Sequence, residues 1–246
     1  GTIDVGASAG GPNNDGIYNV TVSVDDSDGE TNDLVSTSFT WTVLAPSQTQ
    51  ALFRVNAGGA QLSAADASSP VWSADTGAFG AAGNSPYLIA ATATGGTFSG
   101  NSASAHPGPI ITTDPSLAAF PEIPTEVFNT ERWDGPGAPE MLWQFPVPQG
   151  TEVEIAILFA ELFQDITGAG QRVFDISIDG VIPPVFDDID PYAVAGPKGA
   201  FVRTFTTTSD GTIDIELIHG VENPAIKGIQ VSTVAASDND PPVVIN

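Results

Sequence analysis

Glu131 and Glu161 open the search for chemistry, because a glycosidase needs two carboxylates about 5 to 9.5 Å apart across a cleft, one kept protonated and one ionised. They lie in different segments, and with 30 Asp and Glu among 246 residues chance pairs are common. Asp187, Asp188 and Asp190 crowd a single loop. Gly6-Ala7-Ser8-Ala9-Gly10 matches a hydrolase serine elbow, yet that turn requires a helix after it, and Gly11-Pro12-Asn13-Asn14 follows. The absence of cysteine removes disulfides, thiolate zinc sites and cysteine nucleophiles, and His106 and His219 alone are too few for most imidazole-based metal sites. Calcium, which takes oxygen ligands, stays open. Carboxylates for it stand in the loop from Asp25 to Asp33, which breaks EF-hand spacing by placing Val24 at the first ligand position, and at Asp238 and Asp240 in the tail.

Aromatic residues outside the strand pattern carry a sharper signal. A sugar ring presents apolar C–H faces that stack on an aromatic plane, while its hydroxyls seek carboxylate and amide partners. Trp72, Tyr87, Phe98 and Phe128 lie in or beside long loops, as do Trp133, Phe163, Phe186 and Tyr192. Taken one at a time, each ring is better read as closing the end of a β scaffold, given the area it buries. As a group beside Glu, Asp, Asn and Gln they point to saccharide binding.

Charge narrows the partners. Six Lys and Arg against 30 acids give a net charge of −24 and a pI near 4.1, which repels nucleic acid and anionic membranes. No stretch approaches the roughly 20 apolar residues of a membrane span, so membrane insertion is not expected. A chain opening at Gly1 without a signal peptide reads as a piece of something longer. An acidic surface suits an extracellular, salt-rich setting, where screening shortens self-repulsion.

The elements that must position these residues are strands. Tyr18, Val20, Val22 and Val24 alternate with polar residues, as do Phe39, Trp41 and Val43. After Pro46 to Gln50, a linker over 46–50, the period-two pattern resumes at Phe53 and Val55, Met141 to Val147, Val153 to Phe159, Phe174 to Ile178, Phe201 to Phe205, Ile213 to Leu217 and Ile229 to Val231. The pattern predicts an all-β, jelly-roll-like β-sandwich over 51–235, with long loops at 60–86, 99–138 and 182–199 where a ligand would sit. An acidic, proline-containing linker over 236–246 leads to a following domain.

Two resemblances add to this reading. Residues 1–45, with Gly16-Ile17-Tyr18-Asn19-Val20-Thr21-Val22 and Phe39-Thr40-Trp41-Thr42-Val43, resemble the C-terminal half of a bacterial immunoglobulin-like domain. Residues 51–233 carry Phe53-Arg54-Val55-Asn56-Ala57-Gly58-Gly59, Trp72-Ser73-Ala74-Asp75-Thr76, Phe128-Asn129-Thr130-Glu131-Arg132-Trp133, Leu158-Phe159-Ala160-Glu161-Leu162, Arg172-Val173-Phe174-Asp175-Ile176 and Asn223-Pro224-Ala225-Ile226-Lys227-Gly228-Ile229. In that order they resemble malectin and malectin-like carbohydrate-binding domains.

That resemblance implies a sandwich lectin without catalytic activity and a loop-end pocket for a neutral, glucose-type oligosaccharide or polysaccharide. It also implies that Trp133, Phe163 and Glu222 carry the site, Phe163 standing where the family has a tyrosine and Glu222 where it has an aspartate. Asp75 and Gln164 join as polar clamps. Thr76 and Gln164 each replace an aromatic of the family, which leaves open the family's glycan, a different one, or a site no longer in use. Glu161, Arg172 and Asp175 read as a buried arginine with two acids, a packing device. No cofactor is required on this reading, with Ca²⁺ as an optional ligand. Partners are a glycan and neighbouring domains of the same chain, and the competing reading is a structural spacer or adhesion module stiffened by calcium at its junctions.

Overall fold

The computed structural model describes the strands Ile17–Val24 (β1) and Val35–Thr42 (β2) and all of residues 49–234. β1 and β2 pair antiparallel with Ile17 opposite Thr42, at the two stretches where the sequence alternates. The loop from Asp25 to Asp33, the serine at position 8 and both Asp238 and Asp240 lie outside the described residues, as does most of the immunoglobulin-like expectation.

Residues 49–234 form a unit of their own. Its strands are β3 (Ala51–Ala57), β4 (Ser73–Asp75), β5 (Leu88–Ala90), β6 (Gly96–Ser99), β7 (Thr130–Trp133), β8 (Met141–Phe145), β9 (Glu152–Phe159), β10 (Val173–Ile178), β11 (Phe201–Thr208), β12 (Ile213–Val221), β13 (Ala225–Ile226) and β14 (Gly228–Thr233). One short helix, α1 (Pro191–Ala195), stands among them; Asp190 caps it by accepting from the Ala193 amide at 2.9 Å. A five-stranded sheet, β11-β9-β14-β3-β4, and a four-stranded sheet, β10-β12-β8-β5, enclose the main core, and β13-β7-β6 form a third, small sheet.

Period two explains the sandwich. In β8, Met141, Trp143 and Phe145 are buried and alternate with half-buried Leu142 and Gln144; in β12, Ile213, Ile215 and Leu217 do the same against Asp214 and Glu216. These residues meet Ile155, Ile157, Phe159, Phe201 and Ile229 of the facing sheet. β9 departs from one-sided burial, since every residue from Ile155 to Phe159 is buried. Its second face, Ala156 and Leu158, packs with Trp72, Val127, Phe128 and Val202, so the central sheet is covered on both sides. Trp72, Phe128 and Phe186, which the sequence places in loops, are therefore core residues, the packing role expected of rings taken singly.

The long loops hold more structure than the sequence pattern predicts. β4, β7 and three 3₁₀ turns interrupt the segments 60–86, 99–138 and 182–199. β7 escapes the pattern because it reads Thr-Glu-Arg-Trp, with both central charges buried and paired rather than apolar.

Candidate functional site

β7 is the strand that builds the site. Successive side chains of a strand point to opposite faces, so Glu131 and Trp133 share one face and Arg132 takes the other. Arg132 meets Asp75 in a bidentate pair, Nε to Oδ2 at 2.9 Å and Nη2 to Oδ1 at 2.8 Å. The Asp75 oxygens also accept from the amides of Gly58, at 3.0 Å, and Ser85, at 2.9 Å. A carboxylate this buried and this occupied fixes loops to β7 and has no oxygen to offer a sugar, which corrects the clamp expected at Asp75. Thr76, next to it, is exposed and hydrogen-bonds through its amide to Gly83 O at 2.7 Å, away from the other candidates.

Close approach of β3 to β7 depends on Gly58. Its φ is +74°, and a Cβ added there would lie 1.9 Å from the Glu131 carbonyl oxygen. Asn56 helps to lock the same junction, its Oδ1 accepting from Thr130 Oγ1 at 3.0 Å and its Nδ2 donating to Ala60 O at 2.7 Å.

On the Glu131 face lies a cleft of about 190 Å³ lined by Phe98, Glu131, Trp133, Phe163, Arg172, Glu222 and Asn223. Trp133, Phe163 and Glu222, which belong to three distant segments, are thereby brought together. Register explains the first pairing: β6 runs against β7 with Phe98 opposite Glu131 and Gly96 opposite Trp133. A Cβ on Gly96 would touch the Trp133 indole at 3.7 Å, so the ring lies beside a residue with no side chain of its own. Phe163 meets Phe98 edge to face, centroids 5.9 Å apart at 88°. Both Trp133 and Phe163 stay half-buried, unlike the rings of the core. Glu222 is exposed at the rim with φ +60°, its Oε1 accepting from Asn223 Nδ2 at 2.9 Å. Gln164 is exposed and does not line the cleft; its amide donates to Ser104 O at 3.0 Å.

Beneath the cleft runs a buried set of alternating charges. Lys227 Nζ donates to Glu131 Oε2, and Arg172 Nε lies 2.8 Å from Glu161 Oε2 in a charge contact too misaligned to count as a hydrogen bond. Burial pushes the Glu161 carboxyl up while Arg172 and Lys227 pull it down, and burial draws the Lys227 amine down against the pull of Glu131 and Glu161. Glu161 Oε1 also accepts from the Phe163 amide at 2.8 Å, which sets the start of the loop that carries the ring. Arg172 pairs with Glu161 as the sequence suggests, but Asp175 instead accepts from the Asp188 amide at 2.8 Å. Phe98, Arg172 and Asn223 complete the lining; the sequence marked Phe98 as a loop aromatic and Arg172 and Asn223 as landmark residues, but placed none of them in the cleft.

The arrangement sets a half-buried indole and a half-buried phenyl ring beside an exposed carboxylate. A second hollow of about 340 Å³, lined by Pro136, Gly137, His219, Gly220, Glu222 and Asn223, shares two residues with it. A larger groove of about 560 Å³ around Arg54, Glu122, Glu154 and Gln230 lies on the sheet face. Its polar groups largely satisfy one another, as Arg54 Nε to Gln230 Oε1 at 2.8 Å and Gln230 Nε2 to Glu122 Oε1 at 2.8 Å show. It offers no pair of rings. Among the described residues no helix is long and apolar enough to cross a membrane.

Comparison with known proteins agrees with this architecture. The fold is similar to that of the ANX2 ectodomain from Arabidopsis thaliana, with a TM-score of 0.60, 17% identity and coverage of 76% of this chain and 51% of that one. It is also similar to the complex of the plant peptide RALF23 with FER and LLG2, with a TM-score of 0.61, 19% identity and coverage of 88% and 56%. A β-glucuronidase of Bacteroides uniformis matches over 87% of this chain but 22% of its own, at a TM-score of 0.51 and 21% identity. The chain thus spans about half the length of the plant receptors it matches. No curated protein matches it in sequence. The malectin domain model matches residues 51–239, and the chain belongs to the malectin domain family.

Proposed function

We propose that this chain is a non-catalytic carbohydrate-binding module of a larger extracellular bacterial protein, taking a neutral, glucose-type oligosaccharide at the cleft of Trp133, Phe163 and Glu222. The observation that carries the reading is the convergence of two half-exposed rings from β7 and the loop after β9 on one cleft with a carboxylate at its rim. Each ring offers a face for sugar C–H groups, while Glu222 and Asn223 accept and donate to hydroxyls. Arg172 is engaged by Glu161 and by the Asn223 carbonyl, and Glu131 by Lys227. No free cation therefore balances Glu222 in the cleft, which disfavours acidic sugars. The same pairing argues against catalysis, because a glycosidase acid and base must be free to exchange protons.

The sandwich is read as jelly-roll-like in connectivity, and the segment ahead of it as part of an immunoglobulin-like domain. Affinity is expected to be modest, since a small neutral sugar makes few contacts and gives up strong hydration. A glycan array of neutral gluco- and galacto-oligosaccharides, read with calcium and with chelator, tests the proposal. Binding that is retained in chelator supports the lectin; silence across the array with folded protein, together with a melting temperature that moves with calcium, supports the structural spacer joined through Asp238 and Asp240.

A further inference from the structure

Next to Trp133 in the chain, Asp134 converges with two side chains from other segments. Asp134, Glu140 and His219 each offer one ligand atom within 4.8 Å of the other two. Asp134 follows β7, Glu140 precedes β8 and His219 lies near the end of β12. β12 pairs with β8 so that Leu217 faces Met141, which brings Glu140, just before β8, near His219, whose Nδ1 it meets. The Asp134 amide donates to Pro224 O at 3.1 Å, which draws the end of β7 to the same place.

One unmet polar atom, Asp134 Oδ2, marks the cluster as incomplete. Asp134 is fully buried; its Oδ1 accepts from the amide and the hydroxyl of Thr92, at 2.8 and 2.7 Å, but its Oδ2 has no partner. His219 Nδ1 meets Glu140 Oε2 at 2.5 Å, the pair between which an ion would enter. A buried polar atom left unpaired costs about 1–3 kcal/mol, and native proteins keep such atoms only for a reason. The second acidic cluster, Asp175, Asp187 and Asp188, is largely exposed and contains no such atom.

We propose that Asp134, Glu140 and His219 hold a divalent metal ion of the zinc class. Metal bonds of about 2.0–2.2 Å place two ligand atoms on one ion roughly 3–4 Å apart, so an ion would part His219 Nδ1 from Glu140 Oε2 and draw Asp134 in by up to about 2 Å. One imidazole with two carboxylates selects zinc or manganese over calcium, which takes oxygen alone. The hollow lined by Gly137, His219 and Gly220 gives the ion its way in. The site stands on its own residues and does not require the sugar reading.

Isothermal titration of the full chain with zinc chloride and, separately, calcium chloride tests it. One zinc per chain is expected, bound more tightly than calcium, with affinity reduced at least about tenfold in His219→Gln. Asp134→Asn should behave alike, but Asp134 also anchors Thr92, so the partly exposed His219 carries the test. In the wild type, zinc should shift the ring resonances of His219 and leave those of His106, whose Nε2 lies 3.0 Å from Ile166 O, in place. Zinc affinity unchanged in His219→Gln, equal affinity for calcium, or unmoved His219 resonances would each overturn the assignment.

Discussion

Arg172 Nη1 donates to the main-chain carbonyl of Asn223 across 2.5 Å, so a buried cation paired with Glu161 also holds the rim of the cleft in place. The charge network is thus both a packing device and the floor of the site.

Removing Arg172 should reveal this double role. Arg172→Met strands Glu161 as an uncompensated buried charge, at an expected cost of about 3–5 kcal/mol in denaturant unfolding. Adding Glu161→Gln to that variant should recover a large part of the stability. Sugar affinity should stay low in the double variant, because the Asn223 carbonyl has lost its tether.

Trp133→Ala should separate binding from folding. The ring is half-buried and borders Gly96 rather than the main core. Affinity for the glycan is expected to drop at least about thirtyfold, the scale of a binding hot spot. The melting temperature should move by less than about 3 °C. A much larger drop would place the indole among the residues that hold the fold.

Gly58→Ala should be among the most damaging single changes. A methyl group there meets the Glu131 carbonyl at 1.9 Å in a backbone conformation that L residues avoid. The expected cost exceeds about 3 kcal/mol, with β7 and the cleft displaced together. Calorimetry and the near-ultraviolet circular dichroism of the tryptophans measure both effects.

Acidification should at first stabilise the protein. Burial raises the Glu154 carboxyl above its ordinary 4.5, helped by Glu122, and raises Asp179 above 3.8. Glu161 is also raised by burial, against Arg172 and Lys227. Where the folded value exceeds the unfolded one, the folded chain binds more protons, so stability is complete below the unfolded value and is lost as pH rises through the folded one. Asp66, exposed and held down chiefly by the Ser68 hydroxyl, opposes this weakly. Melting temperature should therefore climb from neutral pH toward about pH 5. Glu154→Gln should raise it by about 1–2 °C at neutral pH and flatten the slope.

What the sequence could and could not disclose follows from the range of each interaction. Strands such as Met141–Phe145 and Ile213–Val221 are legible because alternation is a local property. Trp133, Phe163 and Glu222 were readable through the order of the landmarks around them. Asp75 was not, since its partner Arg132 stands 57 residues away and nothing local distinguishes a paired carboxylate from a free one. For the same reason the meeting of Glu140 with His219 depends on the pairing of β8 with β12, which composition cannot supply.

The proposed binding mode lays the sugar against Trp133. The most direct measurement is a ¹⁵N–¹H correlation spectrum of the four tryptophan indoles during titration with neutral gluco-oligosaccharides. The Trp133 indole resonance should move in a saturable way while those of buried Trp72 and Trp143 stay fixed. Saturable binding that leaves the Trp133 signal unmoved would contradict it.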